Sequence, residues 1–365
     1  MTDVAVIGRL LDEYHERSVP PANIQIVAGS VQEARISYEL TLPDGSGQLI
    51  RAYRADGAVP VHALGPFTET VPDWLLGRAE TLDVLGASGY PAPRPVRTRT
   101  GELIAVAGPW LAWATTHVPG VVLEPTLDEL RALGESLGRL HRVIAGGGGR
   151  RLAPRHPAIA VPMTLARLDG VASVLPADWV PLASAFRETV LAVAAGASAA
   201  RESVVHADAW ARHAVLPGGG GPDRPAGPDR PAGPVRPVGA TGPVVLVGWE
   251  TGGLGLAVVD LGNCLLECHV DAAAPDPQAW LISPAPDRIE AVARGYAAER
   301  RLSAAELALL PDAVKFTAAV DGAIHLELAL SDGVTGPVMD ARLAGFQRRM
   351  RVADEVAALA MPHLG

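Results

Sequence analysis

Val4, Ile7, Leu10, Leu11 and Tyr14 fall on one face of a helix drawn over residues 3–16, with polar residues on the other. The period then shortens. Ile24–Ala28, Arg35–Leu42 and Gln48–Arg54 read as strands, and Pro-Asp-Gly-Ser-Gly supplies a turn between the last two. A helix over Trp74–Ser88 runs into the proline-rich YPAPRPV. The apolar stretch Leu103–His117, with Trp110 and Trp113, then closes on Pro119-Gly120. Antiparallel strands with one helix before them and one inserted predict an α+β N-terminal lobe over residues 1–113.

From Thr126 the spacing is helical again, with Leu127, Leu130, Leu133, Leu137 and Leu140 three or four apart. Further helices are predicted over Val180–Ala195, Ala257–His269, Arg288–Arg301, Ala304–Leu310 and Asp340–Leu359. Residues 114–365 therefore read as a mainly helical C-terminal lobe. Two short apolar strands interrupt it, in VVHADAWARHAVL (Val204–Leu216) and VVLVGWE (ending at Glu250). Between them, residues 217–243 carry an imperfect Pro/Gly-rich repeat that cannot bury enough apolar surface to fold alone; a flexible insertion that could dock a protein partner is expected.

Composition narrows the classes. The chain has 365 residues and is 48% hydrophobic, enough for one large core or two lobes. Its formal charge of −9 disfavours nucleic-acid binding, which draws on cationic contacts to phosphate, and suits a cationic substrate. Charged residues, Gly or Pro break every apolar run, so no membrane contact is expected. The N-terminus lacks a basic segment before an apolar one, and there are only two cysteines, Cys264 and Cys268; the expected location is cytoplasmic. The cysteines lie four apart on a predicted helix with His269 next to them, and buried packing accounts for them better than a metal.

The chemistry concentrates in the His-x-Asp of VVHADAWARHAVL. A carboxylate presented after a β-branched pair, Asp208, can accept the proton of a hydroxyl as a phosphoryl group arrives. His206, beside β-branched residues, reads as a packed side chain that braces the loop, and His141 likewise.

Taken in order, AGSVQEARISYEL, QLIRAYR, GRAETLDVLGASGYPAPRPV, LGESLGRLHR, VVHADAWARHAVL, LVGWE, VVDLGN and RGYAAE resemble the motifs of the aminoglycoside phosphotransferase family, which includes choline, homoserine and methylthioribose kinases. The resemblance spans about Ala22 to Tyr296. It implies a two-lobed protein-kinase-like fold with a nucleotide cleft between the lobes. It also implies an ATP- or GTP-dependent phosphotransferase acting on a hydroxyl of a small molecule such as an aminoglycoside, a sugar or a natural-product intermediate.

By this resemblance Gly29 and Ser30 open the turn over the nucleotide phosphates. Arg51 is the phosphate-holding cation, with Arg54 on the opposite strand face as its competitor, and Glu80 is the acid that pairs with the cation. Thr115 and Thr116 lie in the linker whose backbone bonds adenine. Asp208 is the base, and Asp260 of the Asp-Leu-Gly string braces the catalytic loop. Two positions depart from the pattern: His213 stands where the family has a metal-binding Asn, and Gly248 where it has the Asp that bridges metal to phosphates. Three readings stay open. Glu250, with His213, holds a rearranged Mg²⁺ or Mn²⁺ site; the chain is a catalytically degenerate, pseudokinase-like binding protein; or the strand is locally shifted. A kinase-like modifier of Ser/Thr in a precursor peptide is a further possibility within the enzyme class. Glu124, Asp128, Glu129, Asp332 and Asp340 are acids available to a cationic acceptor.

Overall fold

In a computed structural model the described residues are 3–15, 23–30, 35–56, 70–143, 152, 154, 157–217, 243–268, 284–331 and 337–365. They divide into two compact units. One holds the described residues of Met1–Val121 and Val215–Glu250 together with Leu152; the other holds those of Val122–Gly147, Pro154–Ala214 and Thr251–Gly365. The division differs from a single cut after residue 113, because the segment ending at Glu250 returns to the first unit.

The first unit is built on an antiparallel sheet. Strands β1 (Ile24–Ser30), β2 (Arg35–Thr41), β3 (Gly47–Arg54), β6 (Trp110–Thr116) and β4 (Pro95–Val96) lie in that order, and β5 (Ile104–Ala107) also pairs with β6. Alternation sets its two faces. Ile36, Tyr38, Leu40, Ile50, Ala52, Ala112 and Ala114 form a core with Val6, Ile7, Leu10, Leu11 and Tyr14 of α1 (Asp3–Tyr14). Each large apolar side chain buried there contributes about 1.5–3 kcal/mol relative to exposure. The Tyr14 hydroxyl donates to the Ala112 carbonyl at 2.8 Å, tying the helix to the sheet.

Arg51 and Tyr53 occupy the other face of β3. Tyr53 meets Trp74 of α2 (Val71–Ala87) edge-on, with ring centroids 4.9 Å apart. The helix begins three residues before the predicted Trp74 because Thr70 caps it: the Asp73 N–H donates to Thr70 Oγ1, and Pro72 fits the first turn. A smaller sheet has the order β10-β9-β7, from Val245–Leu246, Ala214–Pro217 and Gly120–Val122.

The second unit is mainly helical. It contains α3 (Leu127–Leu140), α4 (Ala160–Val171), α5 (Val180–Gly196), α6 (Ala257–Glu267), α7 (Pro286–Glu299), α8 (Ala304–Ser331) and α9 (Pro337–Leu364). A two-stranded ribbon pairs β8 (Glu202–Val205) with β11 (Gly253–Leu256). The glycines of the LGESLGRLH string are packing residues. A Cβ on Gly134 would stand 2.2 Å from the Val292 carbonyl oxygen, and one on Gly295 of α7 would stand 2.0 Å from that of Arg131. Without side chains there, α3 and α7 meet backbone to backbone.

Two helices differ from the sequence pattern. α8 does not stop at Leu310 but runs through Pro311 to Ser331. Losing one backbone bond costs about 3 kcal/mol, and the burial of Leu310, Ala313, Val314, Phe316, Ala318 and Val320 outweighs it. α4 was not predicted. Pro162 masks its pattern, yet in a first turn proline removes only an N–H that no intrahelical carbonyl would accept. The helical stretch Ala177–Ala199, containing α5, is long and apolar enough by composition to cross a membrane. Pro181, Arg187, Glu188 and Gly196 interrupt its apolar run, as the sequence pattern has it. Cys264 and Cys268 are buried and unpaired, and burial raises both thiols. Residues 218–242 of the insertion, and His269, lie outside the described residues.

Candidate active site

In the first unit Arg51 faces away from the α1 core and lies across from Trp113 in the β3–β6 register. Its Cζ stands 5.5 Å from the centre of the Trp113 ring, within reach of a cation–π attraction. The Arg51 Nε forms an ion pair with Glu250 Oε1, both side chains being mostly shielded from solvent. Arg54, the competing cation, lies on the opposite strand face, half-exposed, and pairs with Asp56 at 2.6 Å.

The expected partner of Arg51 is corrected. Glu80 makes no ion pair with it; Glu250 does. The cause lies in α2. Residues two apart point about 200° from each other around a helix, and it is the fully buried Arg78 that turns to this region, its Nε donating to the Glu250 carbonyl at 3.0 Å. Glu250 is thus held at its backbone by one arginine and at its carboxylate by another. Arg78 was missed from the sequence, although it stands in the same GRAETL string as Glu80.

Upstream of Glu250, the Trp249 indole N–H donates to the Leu246 carbonyl at 2.8 Å and closes a turn in which Gly248 has φ 77°. A side chain is disfavoured at such a φ, though Asp and Asn tolerate it best. Gly29 and Ser30 are the last residues of β1, paired with Ile36 and Arg35 after a bulge at Ile26/Ala28. The expected turn after them, residues 31–34, lies outside the described residues. Thr115 and Thr116 are inside the sheet rather than in a free linker. Thr115 is paired with both Leu49 and Pro95, and the Thr116 N–H donates to the Arg94 carbonyl at 2.8 Å. The strand ends after them, at His117.

In the second unit β8 delivers the His-x-Asp loop, and a buried polar chain fixes it. Asp260, in the first turn of α6, accepts from the His206 N–H at 2.7 Å and the Ala207 N–H at 2.9 Å. Its Oδ2 also lies 3.1 Å from His141 Nε2, while His141 Nδ1 meets the Tyr296 hydroxyl at 2.9 Å. Arg300 Nη1 donates to that hydroxyl oxygen at 2.7 Å and Nη2 to Glu306. Burial opposes charge on Asp260, but the His141 bond and the loop contacts outweigh it and hold the carboxyl below the ordinary range. Burial dominates at His141 and lowers it. An ionised Asp260 can only accept, so the neutral His141 carries its proton on Nε2 and accepts from Tyr296 at Nδ1.

This clamp supports a strained turn. Ala207 has φ 64°, the left-handed region, where a residue with a Cβ costs about 1–2 kcal/mol. His206 is fully buried, with its carbonyl accepting from Thr251 Oγ1 at 2.9 Å. Asp208 emerges beyond the turn with its side chain 41% exposed. A short 3-10 turn, Ala211–His213, returns the chain so that His213 Nδ1 lies 3.1 Å from Asp208 Oδ2 and 3.0 Å from the Asp208 carbonyl. Burial pushes the Asp208 carboxyl up, but the charge and hydrogen bond of His213, joined by His206, prevail and keep it below the usual aspartate range.

Asp208 acts on two further acids that sequence reasoning did not single out, Glu267 at the end of α6 and Asp321 in α8. Burial raises Glu267, Arg349 opposes, and Asp208 adds to the rise. Burial pushes Asp321 up to about 7, again against Arg349 and reinforced by Asp208 and Glu267. Arg349 of α9 reaches Glu267 at 3.0 Å. Of the acids available to a cationic acceptor, Glu129 accepts from the Glu124 N–H, and its own N–H donates to Thr126, the cap of α3.

The donors expected for a metal do not fit one. Glu250 pairs with Arg51, His213 Nδ1 lies against Asp208, and Gly248 has no side-chain donor. Among the described residues no group of three or more His, Cys, Asp or Glu could hold an ion.

No family model and no curated protein sequence matches the chain. Solved structures do match. Over 97% of this chain and 93% of the other, it is similar to the amicoumacin kinase hAmiN, determined with AMP-PNP, Ca²⁺ and Ami, at 14% identity and a TM-score of 0.64. A microcompartment-associated aminopropanol kinase aligns over 98% of this chain and 99% of its own at 16% identity, with a TM-score of 0.59. The spectinomycin phosphotransferase APH(9)-Ia, bound to ADP and spectinomycin, aligns over 100% and 99% at 14% identity, with a TM-score of 0.58. The chain therefore has the protein-kinase-like fold of these small-molecule kinases, an antiparallel N-terminal sheet followed by a mainly helical C-terminal part.

Proposed function

We propose that the protein is an ATP- or GTP-dependent phosphotransferase acting on a hydroxyl of a small molecule. The observation that carries this reading is Asp208: an ionised, solvent-reaching carboxylate on a loop clamped by Asp260, in a chain with a kinase-like fold. In the proposed step the acceptor O–H donates to Asp208, which aligns the oxygen and takes its proton. The new oxygen–phosphorus bond forms at the γ-phosphorus as the bond to the β,γ-bridging oxygen breaks, and the nucleoside diphosphate leaves. Arg51 binds phosphate oxygens through its guanidinium.

The test has two parts. A melting titration with ATP, GTP or ADP, with Mg²⁺ or Mn²⁺, is expected to raise stability by about 2.7 kcal/mol at a hundredfold excess over Kd. Transfer to a panel of amino alcohols and aminoglycosides is then measured for wild type and Asp208→Asn. Loss of about a thousandfold or more in the variant, with nucleotide binding kept, is expected. Unchanged transfer, or no stabilisation by any nucleotide, sinks the reading.

A second reading, a ligand-binding protein without transfer, is favoured by the two departures, His213 on Asp208 and the side-chain-free Gly248. It predicts nucleotide or small-molecule binding with no turnover, and turnover appearing in His213→Asn/Gly248→Asp.

A further inference from the structure

We infer that Glu250 is the positioning residue of Arg51, the role that the helix acid Glu80 was expected to fill, and not a metal ligand. The inference rests on the proposed nucleotide binding at Arg51. Three contacts within one unit point to it. The Glu250 carboxylate meets Arg51 at Nε, the guanidinium edge nearest its stem. The Trp113 ring lies 5.5 Å from Arg51 Cζ and limits its swing. The Glu250 backbone is itself pinned, since the buried Arg78 Nε donates to its carbonyl at 3.0 Å.

A guanidinium has five N–H donors in a rigid fork, and one carboxylate cannot use them all. Anchoring it by its Nε edge directs the terminal nitrogens outward as a pair, the geometry that meets a phosphate at two points. A lysine has no second edge to anchor. This chain therefore couples an arginine on β3 to an acid from the 243–250 segment, and Glu80 lies outside the arrangement.

The experiment measures affinity for ADP and ATP by calorimetry, in EDTA and again with Mg²⁺. Glu250→Gln and Arg51→Ala are each expected to weaken binding about tenfold, equivalent to about 1.4 kcal/mol. The double variant is expected to weaken it no further, because both changes remove one interaction. The loss is expected to be the same in EDTA as with Mg²⁺, which a merely structural role in folding would not produce alongside an unchanged melting temperature. Glu80→Gln is expected to stay within about twofold of wild type. A loss in Glu250→Gln seen only with Mg²⁺ would make it a metal ligand and overturn the inference, as would additive losses or an equal loss in Glu80→Gln. Wild type that binds neither nucleotide would instead overturn the proposed function and this inference with it.

Discussion

Each unit holds one charge of the proposed site against a partner of opposite sign, and the two pairs differ in reach and in chemistry. Arg51 and Glu250 come from a central strand and a distant turn, and only the folded first unit brings them together. Asp208 and His213 lie five residues apart in one loop, joined by a single 3-10 turn. The first pair joins a guanidinium to a carboxylate. The second contains an imidazole, the side chain whose charge ordinarily changes between pH 5 and 8. In the proposed function the first pair sets the cation for phosphate, and the second gives the proton acceptor an imidazole neighbour.

The largest expected effect tests what each pair stands on. Asp260→Asn leaves the Arg51 region untouched but removes the charge and one of the two oxygens that accept from the His206 and Ala207 N–H groups and His141. It should cost about 3–5 kcal/mol in chemical denaturation, because charge-assisted hydrogen bonds are lost and a buried donor is left unsatisfied. The sign with pH follows. Asp260 sits below its ordinary range when folded, so its contribution is present above the unfolded value and is lost as acid protonates the folded carboxyl. The wild type should therefore lose stability in acid, and the variant should show a shallower loss.

Next in size is Asp321→Asn. A carboxyl raised to about 7 favours the fold while protonated, so wild-type stability should decline as pH climbs from about 4 to 7. The variant should lack that decline and melt higher at pH 8, by about 1–2 kcal/mol of stability. A flat wild-type profile would show that burial does not raise the Asp321 carboxyl.

His213→Asn sharpens the contrast between the pairs. Without the imidazole, Asp208 should titrate higher, and the acid limb of transfer should move to higher pH; Glu250→Gln should leave that limb in place. The smallest effect is expected from Ala207→Gly, which relieves the left-handed turn and should gain about 0.5–1 kcal/mol after the entropy of glycine is subtracted.

Legibility in the sequence followed distance along the chain. The alternation in β2 and β3, the leucine spacing of α3 and the position of Asp208 within its loop were readable, because neighbours a few residues apart set them. The role of Asp260 came from the order of the motifs and agrees with its hydrogen bonds to the His206 and Ala207 N–H groups. The extent of α8 was not readable, since Pro311 is a local stop that only burial on several sides overrides.

The partner of Arg51 shows the same boundary. A helix acid after the strand was a sound expectation, but the rotation of α2 decides which of Arg78 and Glu80 faces the cation, and packing against the sheet sets that rotation. Asp208 acts on Glu267 and Asp321 from a loop far from both in sequence, and α6 and α8, which carry them, lie against each other. Taken alone, the amino-acid order determined the elements and the chemically able groups, because periodicity, capping and turn preferences act over a few residues. Which group meets which was left to the tertiary structure, because partnership depends on distances between elements far apart in the chain.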